Sequence, residues 1–276
     1  MRHPKNKRRG VCVADIIDWM ESIAPADLAE DWDNVGLQIG SVKQAVHKIR
    51  VALDPLGTVI DAAVAEGVDL LITHHPLILR PLTHVDLESP AGRSIAAAIK
   101  GRLTIFSAHT NLDSAATGIN AMLAQRIGIT NPECLLPCPG GGSSLGLGRI
   151  GRLETPQRVE DLARRIKDRL QLPFVKVAGN MDVIASKAAV CSGSGSSLLD
   201  AFLASDAQVY ISGDMRYHNA RDVEAAGRAL IDIGHFSSEH IVVEDLVARL
   251  QKTAATAGWA VQVEACSREH EPFVSV

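Results

Sequence analysis

A chain of 276 residues, 46% hydrophobic and 22% charged, has the makeup of a globular protein with room for one large domain or two ordinary ones. A formal charge of −4 argues against a dedicated nucleic-acid binder, and aromatics at 4% leave little for a surface that stacks successive bases. No apolar run reaches the ~18 residues a membrane span needs, and no secretory core follows the basic start MRHPKNKRRG, which reads as a solvated tail.

In chain order, VADIIDWMESIAP (13–25) predicts a helix with Ile16, Ile17 and Met20 on one side and Pro25 closing it. EDWDNVGLQIG (30–40) sets an aromatic among three acids; Trp32, Asp33 and Asn34 could line a cleft, or Asn34–Gly36 could form a turn into a strand. KIRVALD (48–54) predicts a strand, GTVIDAAVAEG (57–67) a helix, VDLLIT (68–73) a strand, SIAAAIKG (94–101) a helix and RLTIFSA (102–108) a strand. This alternation predicts an α/β fold with a mainly parallel sheet, whose functional groups gather at the carboxyl ends of strands.

LPCPGGGSSLGLGRIGRL (136–153) predicts a loop or linker that enters a strand at its end, with Cys134 and Cys138 as incidental thiols nearby. No Gly-Lys-Ser/Thr follows its glycines, which excludes a P-loop, and the spacing fails the dinucleotide fingerprint. TPQRVEDLARRIKDRLQLP (155–173) predicts a helix with proline in its first turn. The segment 188–214 then aligns with 49–75 at an offset of 139, and GRALIDIGHFSSE (227–239) with GRLTIFSAHTNLD (101–113) at an offset of 126. The pattern reads as an internal duplication in which His109 matches His235 and Asp113 matches Glu239. The expected organisation is a first α/β repeat unit with its N-terminal helix over 1–130, a connecting segment over 131–187 and a second repeat unit over 188–276.

At predicted strand ends the first half offers His74, His75, His109 and Asp113, and the second offers Asp214, His218, His235 and Glu239. Imidazole mixed with carboxylate suits Zn²⁺, Mn²⁺, Fe²⁺ or Ni²⁺. There are too many donors for one tetrahedral ion, which points to a two-metal centre with a bridging carboxylate. In a regular strand His74 and His75 would face opposite sides; a bend before Pro76 lets both point forward. His3, His47, His84, His240 and His270 lack such context. No serine nucleophile elbow or spaced Cys–His pairing is present.

DWDNVGLQIG, VALD, LLITHHPLI, SAHTNLD, GLGRIGRL, ISGDMRYHNA and DIGHFSSE, in that order, resemble the Nif-three-like dinuclear metal-centre family, often labelled GTP cyclohydrolase type 2 homologues. The resemblance implies two similar intertwined three-layer α/β/α domains and a toroidal homohexamer with metal sites facing an internal cavity. It also implies that His74, His75, Asp113, His235 and Glu239 ligate two divalent ions per chain, with Glu239 bridging. His109 is not among the ligands it supplies; the duplication places this residue beside them, where it would support a ligand from behind or transfer a proton.

The expected function is a metal-dependent hydrolase working through a metal-bridged water on a small molecule, with GTP ring opening suggested by the family label. A metal-handling or metal-delivery protein without turnover is the alternative, and a regulatory scaffold is a third. Five cysteines without framework spacing fit a reducing compartment, so a cytoplasmic protein with no membrane or nucleic-acid partner is expected.

Overall fold

The structure, a computed structural model, describes residues 10–274. The tail as far as Arg9, His3 included, lies outside them.

The chain forms two compact units, one running to Leu112 and resuming at Val242–His270, the other spanning Asp113–Ile241 and taking up the chain again from Glu271. In chain order the first holds β1 (Val11–Cys12), α1 (Val13–Ile23), β2 (Gly36–Ile39), β3 (Ala45–Val46), β4 (Lys48–Ala52), α2 (Gly57–Ala65), β5 (Leu70–Thr73), α3 (Pro90–Lys100), β6 (Thr104–Ser107) and most of α4 (Thr110–Ser114). The second holds α5 (Ile119–Ile127), β7 (Ile129–Pro137), β8 (Gly146–Arg158), α6 (Val159–Arg169), β9 (Lys176–Gly179), β10 (Ile184–Ser194), α7 (Leu199–Ala204), β11 (Val209–Gly213), α8 (Tyr217–Ala225), β12 (Ala229–Asp232) and α9 (His235–Glu239). The chain then returns to the first unit with α10 (Ile241–Ala257) and β13 (Gln262–Ala265).

The sheet of the first unit has the order β13-β4-β5-β6-β2, parallel except for β2. Strands such as LLIT (β5) and TIFS (β6) are buried at every position, as expected where a parallel strand is covered on both faces. Helices α2 and α3 cover one face, packing Val59, Ile60, Ala63 and Ala98 onto Leu71 and Ile105. Helix α3 starts earlier than its apolar pattern suggests: Ser89 caps it by accepting from the Gly92 N–H, and Pro90 occupies the first turn, where its missing donor costs nothing.

The sheet of the second unit runs β7-β8-β10-β11-β12-β9, with β10, β11 and β12 parallel and the flanking strands antiparallel. Phe202, Val223, Leu198 and Leu199 pack against Tyr210, Ala189 and Leu230 on one of its faces. The α/β class therefore holds in both units: the first sheet is mainly parallel, and the second is mixed, with a parallel centre between antiparallel pairings. Among the described residues no helix is long and apolar enough to cross a membrane.

Two expectations are corrected here. The Gly-rich stretch 136–153 is mainly strand, the turn of a β7–β8 hairpin rather than a linker. Its glycines admit close backbone neighbours: a Cβ at Gly146 would lie 2.3 Å from the Leu136 carbonyl oxygen, and one at Gly151 2.8 Å from that of Thr130. Pro156 lies inside β8, two residues before its end at Arg158, instead of opening α6, and it sits where the β8–β10 register shifts, so its missing N–H breaks no ladder bond. By compactness the chain divides near 112 and 241. Residues 131–187 lie within the second unit because β8 hydrogen-bonds to β10.

Candidate metal centre

In the first unit the parallel ladder continues past β5, with His74 N–H donating to Ala52 O at 3.3 Å and His75 N–H to Leu53 O at 2.9 Å. The chain then bends at both histidines before Pro76. The His75 carbonyl stays at this bend because two hydroxyls donate to it, Thr73 Oγ1 at 2.8 Å and Ser107 Oγ at 3.3 Å. The bend tilts the two imidazoles 47° apart with centroids 4.9 Å distant. His109, two residues past β6, completes the group, its ring 5.0 Å from His74 and 5.4 Å from His75. One ligand nitrogen from each of the three lies within 4.8 Å of the others.

Each imidazole is oriented through Nδ1. His74 Nδ1 lies 2.8 Å from the Ala108 carbonyl oxygen, His75 Nδ1 2.7 Å from Asp54 Oδ1, and His109 Nδ1 2.9 Å from Asp33 Oδ1. A carbonyl or carboxylate oxygen accepts, so Nδ1 carries the proton and Nε2 presents the lone pair. This is the arrangement in which outer groups fix the tautomer and direction of a metal-ligating histidine. Asp54 is itself placed by Glu269, whose carboxylate accepts from the backbone N–H of Leu53 and Asp54 at 2.9 and 2.7 Å. Asp33 has a fully buried side chain and accepts from the Thr110 N–H and hydroxyl as well as from His109. Burial pushes its carboxyl up, but these hydrogen bonds and the His109 charge outweigh it and hold Asp33 well below the usual carboxylate range.

In the second unit the donors gather around the end of β10. His235 and Glu239 lie one turn apart on α9, and His235 Nε2 is 2.9 Å from Glu239 Oε2. Asp214, in the left-handed region at φ 51°, accepts from His235 Nδ1 at 2.7 Å and so repeats the orientation seen in the first unit. Glu239 is buried and packs on Gly193, where a Cβ would sit 2.0 Å from Glu239 Oε1. Asp113 is also buried; its Oδ1 accepts from Ser192 Oγ at 3.2 Å, beside that glycine. Asn120 ties this corner together, accepting from the Ser192 N–H at 2.9 Å and donating to the Asp113 carbonyl at 3.2 Å. The buried Arg149, held by the carbonyls of Gly146, Gly148 and Ala115, adds a positive charge that Asp113 feels.

The donor set fits divalent metals of the borderline class. Within the first unit, ring nitrogens converge with outer acceptors in place; within the second, the His235 imidazole meets the buried Glu239 carboxylate, and the buried Asp113 is held by Ser192 next to the glycine on which Glu239 packs. Buried carboxylates demand a compensating cation or hydrogen bonds. Of the remaining candidates, His218 is exposed on α8 against Tyr217 and joins no group of donors among the described residues. His84 hydrogen-bonds with its neighbour Thr83, and His240 stacks on Phe236.

The sequence reading missed the orienting acids. Asp54 ends the quoted motif VALD and Asp33 sits in DWDN, but their partners lie 21 and 76 residues away. Asp214 was already among the strand-end candidates; its role is to hold His235. The turn in EDWDNVGLQIG falls earlier than Asn34–Gly36: the Asp33 N–H donates to Glu30 O at 2.9 Å, β2 begins at Gly36, and Asp33 is anchored on Thr110 and His109.

The profile of the Duf34/NIF3 (NGG1p interacting factor 3) family matches residues 11–272. A Streptomyces coelicolor protein named GTP cyclohydrolase 1 type 2 homolog is 33% identical over 267 residues, covering 95% of this chain and 94% of the relative. A protein of Clostridium perfringens with the same name is 35% identical over 225 residues, 82% of this chain and 86% of the relative. The crystal structure of a Bacillus cereus protein related to NIF3 superposes with a TM-score of 0.90 at 25% identity, covering 97% of this chain and 100% of that one. Matched across almost its whole described length by profile, by relatives and by fold, the chain belongs to the Duf34/NIF3 family.

Proposed function

We propose that the chain is a metal-dependent hydrolase that binds two divalent ions, drawn from Zn²⁺, Mn²⁺, Fe²⁺ and Ni²⁺, through His74, His75, Asp113, His235 and Glu239, with Glu239 as the bridge. The observation that supports this reading most strongly is the common orientation of His74, His75 and His235, each held through Nδ1 by an oxygen, which reserves Nε2 for a ligand role.

When bound, paired ions supply Lewis acidity and acidify a water toward neutral pH. The chain's own residues do the rest. Asp54, the Ala108 carbonyl and Asp214 fix the ligand imidazoles, so little reorganisation accompanies binding. His109, oriented by Asp33 beside His74 and His75, takes a proton at Nε2 from the attacking water and returns it to the leaving group. The name carried by the relatives suggests GTP as substrate, with water attacking the imidazole carbon of the purine. A homohexamer in the cytoplasm completes the reading, in keeping with five cysteines that form no disulfide.

The test is to assay metal-analysed protein against nucleotides, phosphoesters and cyclic amides, beside His75→Ala. Joint loss of ions and turnover in the variant supports the hydrolase. A full metal complement without turnover on any substrate transfers the function to metal handling. His109→Ala that keeps both ions and normal turnover removes the proton-transfer role. Light scattering after size exclusion gives the oligomeric state.

A further inference from the structure

The motif EDWDN contributes Asp33 to the site, but the residue before it has no part in the reading above. Trp32 is 59% exposed, although it sits on a loop that is held on both flanks. On one side Asp33 is tied to His109 and Thr110, and the Glu30 N–H donates to Thr110 Oγ1 at 2.9 Å. On the other, Asn34 Nδ2 donates to the Ile78 carbonyl, and Gln38 Oε1 accepts from the Ile78 N–H at 3.1 Å. The two ties lead back to β6 and to the segment just past His74 and His75. The indole is therefore exposed by construction.

Leaving an indole in water forgoes the burial energy that normally justifies a tryptophan. What it gains is position. The Trp32 ring lies 5.9 Å from the His109 ring at 77°, and one imidazole is all that separates it from His74 and His75. An edge-on neighbour at that distance, with most of the indole exposed, leaves ring surface for a planar ligand. Glu30 and Asp31 flank it, so the surface suits an uncharged ring better than a phosphate. A scarcity of aromatics counts against binding a strand of nucleic acid but not against holding one base.

We propose that Trp32 is a stacking platform for a neutral planar nitrogen heterocycle of the nucleobase type, which it presents edge-on to the His109–His74–His75 group. This assigns the substrate class of the site on the hydrolase reading above. Any phosphate on the ligand points away from Glu30 and Asp31.

The probe is guanosine, which carries the ring without phosphate. In a Trp19→Phe, Trp259→Phe background Trp32 is the only indole, and guanosine quenches its emission saturably while ribose and choline leave it unchanged. By calorimetry Trp32→Ala weakens guanosine binding by roughly 10- to 100-fold, the range of one base–aromatic stack, and Trp32→Phe restores most of it. Metal content and melting temperature of Trp32→Ala match the unaltered protein. Equal guanosine affinity with and without the indole overturns the proposal, as does quenching by choline in its place. The two readings fail separately. Guanosine binding through Trp32 without ring opening keeps the platform and removes the hydrolase. Turnover confined to non-planar substrates and indifferent to Trp32→Ala does the reverse.

Discussion

The two units share a scaffold and differ in what they mount on it. In the first, β4 pairs with β5 as Ile49 with Leu70; in the second, β10 pairs with β11 as Ala188 with Val209, so both strands recur 139 residues later in the same register. At that offset His74 and His75 correspond to Gly213 and Asp214, and Asp54 to Gly193. Each unit joins an imidazole to an orienting carboxylate, yet the roles are exchanged. In the first, the strand end after β5 supplies the imidazole and the one after β4 the acid; in the second, the strand end after β11 supplies the acid and α9 the imidazole. The third strand is less faithful: Leu70–Thr104 against Val209–Ala229 gives an offset of 125, one short of that in the motif alignment. The extra residue falls at Gly234, φ 81°, which puts His235 three residues beyond β12 while His109 is two beyond β6. A repeated sheet fixes where strand ends lie; it leaves the donor at each end open to change.

The sharpest way to break this comparison is at its most unequal position. Asp54 carries a side chain where Gly193 can have none, since a Cβ there would lie 2.0 Å from Glu239 Oε1 on a backbone of φ 61°. Gly193→Ala is expected to weaken metal binding by about 100-fold or more through displacement of Glu239, as read by competition with a chelating dye. Unaltered affinity would remove Glu239 from the ligand set.

A second test asks whether the exchanged acids are equivalent. Asp54→Asn and Asp214→Asn should each lower metal affinity by about 10- to 100-fold, the usual cost of losing an outer partner of a ligating histidine. A loss confined to one variant would mean that only one unit's imidazole is essential to holding the ions.

The smallest effect concerns Asp33, which has no matching acid on His235's side of the comparison except the half-exposed Asp214. Its carboxyl is held below the ordinary value of 3.8 in the fold. It therefore contributes stability above about that pH, and the contribution is lost as pH falls further toward the folded value. Asp33→Asn should cost about 1–3 kcal/mol at pH 7, with a shallower decline on acidification, in urea melts taken from pH 7 to pH 3. A parallel decline in both proteins would sink the account of its shifted titration.

The elements legible in the sequence were those with local causes. The run from β4 to β6 follows from apolar patterns and turn residues a few positions apart, and the bend at His74–His75 from the proline behind it. The candidate histidines stood out because imidazoles at strand ends are hard to explain as core. What was hidden depends on distant pairing. The Gly-rich stretch became a hairpin because β7 and β10 flank it, and the antiparallel edges β2 and β9 are placed by strands well removed in sequence. Asp54 looked like an ordinary loop acid, and Asp33, read as cleft-lining, had no partner to orient until the fold brought each its histidine.

Strand β13 lies against β4, and Glu269 just beyond it accepts the backbone hydrogens of Leu53 and Asp54. During synthesis all six strands of the second unit's sheet emerge before this strand does, so that sheet can form on the ribosome while the first waits with one border uncovered. The alignment of His75 is among the last things the nascent chain settles, and translation truncated before residue 262 would yield a protein with its carboxylate-rich half built and its histidine-rich half still exposed to aggregation and proteolysis.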